Sequence, residues 1–231
     1  LTNGTLYNFK IWTRKGTVWS SGVTTSGTPS ASFAGDFQTL TSGNWNDFNT
    51  WQVWNGSAWV NAVSGQWPNS STSSVTIRNG HTVAVNGAGP YAVKALTVNS
   101  GGKLWTNTNT GTPVYISVYN DLTCDGTIGN TGSYDDLSFN IDGSTCSLSG
   151  TGKFTCSRIR KNDNTTNATT TLTVNMNATL SWVTAASTNI YDNVGASTFN
   201  ITIASGKTLT TTNTGNISID GTSGTGSGNR K

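Results

Sequence analysis

The chain has 231 residues, a formal net charge of +3 and only 10% charged residues. It contains 27 Gly, 4 Pro, 1 Met and no Glu, while Thr, Ser and Asn crowd the remainder. Strong helix formers are scarce and strand formers common, which excludes a mostly helical protein. The 9 Trp, 6 Tyr and 7 Phe supply apolar burial that a disordered polar chain lacks. No run approaches the roughly 18 apolar residues of a membrane helix, so membrane insertion is not expected. The basic residues are scattered, with one cluster at Arg158, Arg160 and Lys161. Nucleic acid, which needs a basic stripe well beyond this, is not expected as a partner.

Residues 5–25 read as a β-hairpin. Tyr7, Phe9 and Ile11 alternate with Asn8 and Lys10, the pattern of a half-buried strand. Arg14-Lys15-Gly16-Thr17 makes a turn, and Val18 to Val23 returns. An isolated hairpin is marginal in water, so its apolar face needs a cover. That cover is either the chain's own following domain or a neighbouring molecule joined by strand addition. Tyr7, Phe9 and Ile11 are the candidate assembly strand. Residues 29–37 read as a linker, and the chain opens without a signal peptide, as a piece of a longer precursor would.

Residues 38–73 form a Trp-rich segment. Five of the 9 Trp lie between 45 and 67. Trp54-Asn55-Gly56-Ser57-Ala58-Trp59 signals a second hairpin, with an Asn-Gly turn between aromatic strands. Clustered indoles have two readings: an apolar plug over the end of a repeat stack, or a platform on which sugar rings stack. Trp54 and Trp59, beside the turn, are the candidate carbohydrate-binding residues.

From 74 to 221 short apolar triplets recur at irregular intervals. They are VTI (75–77), LTV (96–98), ISV (116–118), FNI (139–141), LTV (172–174), ITI (201–203) and ISI (217–219). Turn signals such as Asn99-Ser100-Gly101-Gly102 and Asp125-Gly126 stand between them. Val and Ile would point inward, with Thr, Ser or Asn stacked outside. The expected fold is all-β: a right-handed parallel β-helix or solenoid with an N-terminal hairpin and a Trp-rich cap. A β-sandwich is the alternative. Residues 222–231 read as a Gly/Ser tail.

LTNGTLY at residues 1–7 resembles the tyrosine corner of a fibronectin type III domain. The resemblance implies that Leu1, Thr5 and Tyr7 occupy the corner and that 1–28 is the C-terminal hairpin of a truncated sandwich. The stretch from Ser42 to Val85 resembles a glycine-rich cap module that precedes parallel β-helix repeats in large secreted proteins. Trp45, Trp51, Pro68, Val75, Ile77, Gly80, His81 and Val83 carry that match. Together these segments look like surface proteins of gliding bacteria exported by the type IX system, often adhesins or polysaccharide-acting enzymes. The resemblance implies an extracellular or cell-surface location. The C-terminal sorting domain usual in such proteins is missing from this sequence.

Little in the sequence points to chemistry. Catalysis needs titratable groups held together, and His81 is the single His. Asp135 and Asp136 are adjacent and would point to opposite faces of a strand. No calcium loop, nucleotide loop or nucleophile elbow is present. Cys124, Cys146 and Cys156 sit in apolar strand-like slots and read as small buried hydrophobes, with a Cys146–Cys156 bridge left open. No catalytic residue, metal or cofactor is therefore assigned. The expected function is a non-catalytic extracellular surface or structural module, an adhesin or fibre-forming subunit that self-assembles through the hairpin. Three alternatives stay open. One is a carbohydrate-binding module with a glycan partner. Another is a polysaccharide-degrading β-helix domain, with Arg158, Arg160 and Lys161 as its only candidates. The third is ice binding through Thr rows, against which the irregular spacing argues.

Overall fold

A computed structural model describes residues 7–27, 32–87, 89, 91–106, 112–130, 136–162, 169–181, 190–192, 198–211 and 219–221. The chain divides into two compact units, residues 1–33 and 34–231. One 3₁₀ turn, Phe48–Thr50, is the only helix among the described residues; the rest is strand, turn and loop. No helix among them is long and apolar enough to cross a membrane.

The first unit is the hairpin read from the sequence. Its strands are β1 (Tyr7–Ile11), β2 (Arg14–Lys15), β3 (Val18–Trp19) and β4 (Val23–Gly27). β1 runs antiparallel to β4, with Ile11 opposite Val23 and Phe9 opposite Thr25. β2 and β3 continue it, and Gly16, at φ 62°, makes the turn that an L side chain would resist. Leu1 and Thr5 of the tyrosine-corner resemblance lie outside the described residues.

The second unit opens with β5 (Phe37–Thr39), β6 (Gly43–Asn44), β7 (Trp51–Trp54) and β8 (Trp59–Asn61). Among the described residues six tiers of three strands follow. They are β9 (Val75–Ile77), β10 (Thr82–Ala84) and β11 (Tyr91–Val93), then β12 (Leu96–Val98), β13 (Lys103–Trp105) and β14 (Val114–Val118). Next come β15 (Leu122–Cys124), β16 (Thr127–Ile128) and β17 (Leu137–Ile141), then β18 (Thr145–Ser149), β19 (Lys153–Cys156) and β20 (Arg158–Lys161). The last two tiers are β21 (Thr169–Val174), β22 (Ala178–Leu180) and β23 (Ile190–Asp192), and β24 (Thr198–Ile203), β25 (Leu209–Thr211) and β26 (Ile219–Gly221).

From β9 onward each strand pairs in parallel with the strand three places later. The result is three sheets of nine, seven and six strands, one strand per tier in each. Among the described residues of this unit, antiparallel pairing is confined to the opening end, β5 with β7 and β7 with β8. A β-sandwich is built from antiparallel sheets, so that alternative does not hold.

Register turns single residues into columns. Phe37, Val75, Leu96, Leu122, Leu148, Val174 and Ile203 are successive partners down the nine-stranded sheet. Ile116, Phe139 and Ile159 do the same in the six-stranded sheet, and Leu104, Ile128 and Phe154 in the seven-stranded one. All but Ile203, which is exposed in the last tier, are buried and belong to one contiguous core. All three sheets face it: Leu122, Cys146, Leu172, Phe139, Ile159 and Phe154 line one small cavity. The Phe139 and Phe154 rings, from two different sheets, lie 5.6 Å apart. One tier alone leaves its apolar edge in water, and stacking removes it. Each large aliphatic so buried contributes about 1.5–3 kcal/mol.

Corners are fixed by two devices. Side-chain acceptors of one tier hold the backbone of the next: Asp121 Oδ1 accepts from Ser147 N at 3.0 Å, and Asp125 Oδ1 from Thr151 N at 2.9 Å. At the corner between the nine- and seven-stranded sheets stand Gly102, Gly126 and Gly152. A Cβ on Gly126 would strike the Gly102 carbonyl, and one on Gly152 the Gly126 carbonyl.

Trp45 and Trp51 fill the opening end, both fully buried. The Trp45 indole N–H donates to the Pro68 carbonyl at 2.8 Å, so neither apolar contact nor hydrogen bond is lost on burial. Two local readings change. Phe37, placed in the linker by its small neighbours, is buried in β5 and pairs with Val75. The stretch FTCSRI (154–159), which reads in the sequence as one extra strand between triplets, belongs to two strands, β19 and β20, which turn at Ser157 into different sheets. All three Cys are free, buried thiols, so the Cys146–Cys156 bridge is not formed.

Candidate functional site

Three places carry the sequence-derived candidates. The first is the hairpin face. Alternation puts Tyr7, Phe9 and Ile11 on one side of β1, and pairing adds Val23 and Thr25 from β4 to the same side. Tyr7 is half-buried, but Ile11 is 62% and Val23 71% exposed. Val18 and Trp19, at 70% and 60%, extend the apolar surface around the turn, a contribution the sequence reading did not single out. Among the described residues β1 and β4 form a two-stranded sheet. Two cations lie over exposed indoles of this unit: Lys10 Nζ is 5.4 Å from the centre of the Trp12 ring, and the Arg14 guanidinium is 5.3 Å from that of Trp19.

The second place is the tip of the β7–β8 hairpin. Trp51 turns into the core and Val53 packs against it, so Gln52 and Trp54 turn outward. Trp54 and Trp59 are direct cross-strand partners, with ring centroids 5.4 Å apart and planes at 61°. Both are half-buried. The rings are thus an edge-to-face pair, one bracing the other, rather than a flat two-ring floor. Asn55 orders the turn beneath them: its Oδ1 accepts from Ser57 N and Ala58 N, each at 2.9 Å. Of the clustered indoles, then, Trp45 and Trp51 are the plug and Trp54 and Trp59 reach the surface.

A run of side chains that sequence reasoning did not assemble starts beside this pair. Gln38 lies opposite Gln52 and donates to it at 3.0 Å, and Gln52 donates to Asn61 at 3.2 Å. On the other side of Gln38 the register continues through Thr76, Thr97, Thr123 and Ser149. The one signal for it in the sequence is the Thr at the centre of VTI, LTV and LTC.

The third place is the basic cluster. Arg158 and Arg160 share the outer face of β20, while Ile159 and Lys161 are buried. Arg160 Nε donates to Asn140 Oδ1 at 2.7 Å, and Asn140 Nδ2 donates to Ser117 Oγ at 2.9 Å. The Arg160 guanidinium lies 3.6 Å from the centre of the Tyr115 ring. Asn140 and Ser117 are buried, so this chain of bonds ties three strands of the six-stranded sheet together. It positions an arginine by packing and hydrogen bonding, and no nucleophile or acid–base pair stands with it among these contacts.

His81 is held to the opening tier, its Nδ1 2.7 Å from Thr39 Oγ1, and the same hydroxyl accepts Arg78 N at 2.9 Å. Asp47 caps the 3₁₀ turn by accepting from Asn49 N. Among the described residues no three His, Cys or Asp gather where they could hold a metal ion. Burial pushes the Cys124 thiol up to about 12 and the Cys146 thiol up to about 11, so neither is a thiolate nucleophile at neutral pH.

No protein-family model, curated protein or solved structure matches the chain.

Proposed function

We propose that this chain is a non-catalytic structural module of an extracellular surface or fibre, with its tiers wound as a right-handed parallel β-helix. The three-place step of strand pairing and the single core shared by three sheets support the winding. Right-handed crossovers between parallel strands are the strong rule, which supports the hand. The observation that carries the functional reading is the first unit. A hairpin that is two-stranded among the described residues presents Phe9, Ile11, Val18, Trp19 and Val23 to solvent. Such a face is stabilised when a further strand or sheet covers it, and a second copy of the chain brings the same face. The cell-surface setting rests on the Thr/Ser/Asn-rich composition and the resemblances in the opening segments.

The test uses the full chain and the variant Phe9→Asp/Ile11→Asp, whose exposed positions leave the second unit's core untouched. Light scattering across a concentration series, with electron microscopy of the largest species, should show oligomers for the parent and monomers for the variant. A parent that stays monomeric throughout, or a variant that associates equally well, overturns the reading.

A further inference from the structure

The second unit carries a surface that the hairpin reading does not use. Down the outer face of the nine-stranded sheet, Asn61, Gln52, Gln38, Thr76, Thr97, Thr123 and Ser149 stand in one register column. Adjacent strands are about 4.8 Å apart, so the column offers a hydrogen-bonding side chain at each step over about 29 Å. Every member both donates and accepts, and none is charged. None is buried outright. The charged residues nearest its middle, Arg78, Asp121 and Asp125, lie at the ends of strands β9 and β15 and carry both signs.

Trp54 and Trp59 flank the first two members, one alternate position along β7 and β8 from Gln52 and Asn61. That step is about 6.6 Å along a strand. Their outward rings are a second, independent feature of the same face: an apolar stacking surface beside a row of hydroxyls and amides.

We infer that this face binds a neutral polysaccharide chain lying across the strands, with one sugar ring against the Trp54–Trp59 pair and its successors along the Gln–Thr column. Sugar hydroxyls donate and accept as the amides and hydroxyls of the column do, and the C–H face of a pyranose needs an apolar partner such as an indole. The linear repeat of the column fits a polymer rather than a single sugar. Its lack of charge fits a neutral chain rather than a polyuronate or polysulfate. The edge-to-face geometry gives one braced ring for stacking, so the aromatic pair anchors one sugar and the column distributes the remaining contacts. This binding involves none of the residues of the first unit, so it stands or falls independently of self-assembly.

The experiment is affinity electrophoresis of the full chain in native gels containing hydroxyethylcellulose, galactomannan, arabinoxylan or laminarin. Polygalacturonate and alginate serve as charged comparisons. At least one neutral polymer should retard the chain, with the retardation unchanged by added salt. Trp59→Ala should weaken the apparent affinity at least tenfold. Thr76→Val/Thr97→Val, which keeps strand-forming side chains of nearly the same size, should weaken it several-fold and leave the thermal transition in place. Retardation by none of the four neutral polymers, or only by the charged ones, overturns the inference. So does undiminished binding by the Thr76→Val/Thr97→Val variant, because it removes the column from the contact.

Discussion

The indole N–H of Trp51 donates to the backbone carbonyl of Trp45 at 2.8 Å, while the two rings cross edge to face at 5.3 Å and 73°. One residue thus supplies both the apolar contact and the hydrogen-bond donor that the other's buried backbone needs. The opening tier is locked by this pair, since Trp51 also meets Phe37 edge-on at 6.3 Å.

Trp51→Ala should therefore destabilise the second unit by about 3–5 kcal/mol, the usual cost of emptying a large aromatic site. Trp51→Phe retains much of the ring contact but strands the Trp45 carbonyl, and should cost about 1–3 kcal/mol. Urea unfolding followed by circular dichroism measures both. Equal losses for the two variants would assign the whole effect to the hydrogen bond, and an undiminished Trp51→Phe would assign it to packing.

How far the sequence discloses this fold depends on what each strand puts inward. Val75–Ile77 and Leu96–Val98 each place two branched aliphatics in the core around an outward Thr, and both triplets are strands of one sheet. The ISV and FNI triplets lie in a different sheet, within β14 and β17, which is why the triplet intervals look irregular. Strands of the seven-stranded sheet leave a weaker trace. β16 is only two residues, Thr127–Ile128, and β13 turns just Leu104 inward between Lys103 and Trp105. The Trp54–Trp59 hairpin is legible because an Asn-Gly turn between aromatics is a local signal. The Gln38–Thr76 neighbourhood is not, because it depends on register between strands nearly forty residues apart.

The glycine corner makes a sharper demand than turn propensity. Gly126 and Gly152 are required by close approach, since each Cβ would meet a carbonyl of the tier before. Gly126→Ala should cost about 1–3 kcal/mol or more, because the obstacle is backbone and cannot rotate away. The same change at Gly152 should act alike, one tier further on. Thermal unfolding of the two single variants checks this, and an unchanged midpoint would mean that the corner opens freely.

Asn140 sits between Arg160 and Ser117 as acceptor to one and donor to the other. Asn140→Leu keeps the volume but removes both bonds inside a buried row. It should lose about 2–4 kcal/mol, more than a Ser117→Ala change that removes a single partner. The double variant Asn140→Leu/Ser117→Ala should fall short of the summed losses, because the Ser117 bond is already broken in the first. Denaturant midpoints of the three variants supply the cycle, and simple additivity would show that the residues do not form one chain of bonds.

The thiols give the fold a defined alkaline limit. Cys124 is held up to about 12 and Cys146 up to about 11, from 9.0, chiefly because burial disfavours the thiolate; the nearby Asp125 and Asp121 carboxylates add to this. Between pH 9 and these values the unfolded chain releases thiol protons that the folded chain keeps. The unfolded state then binds fewer protons, so stability falls as pH rises through this window and is complete below it. Cys124→Ala should flatten the decline between pH 9 and about 12, and Cys146→Ala between pH 9 and about 11. Comparing variants with the parent at each pH removes the contribution of Tyr and Lys, which titrate in the same range. A disulfide reagent at pH 8 should find no reactive thiol in the folded chain and all 3 Cys after denaturation. Rapid labelling of the folded chain would show instead that the core between the sheets opens to solvent, and the alkaline decline would then have another source.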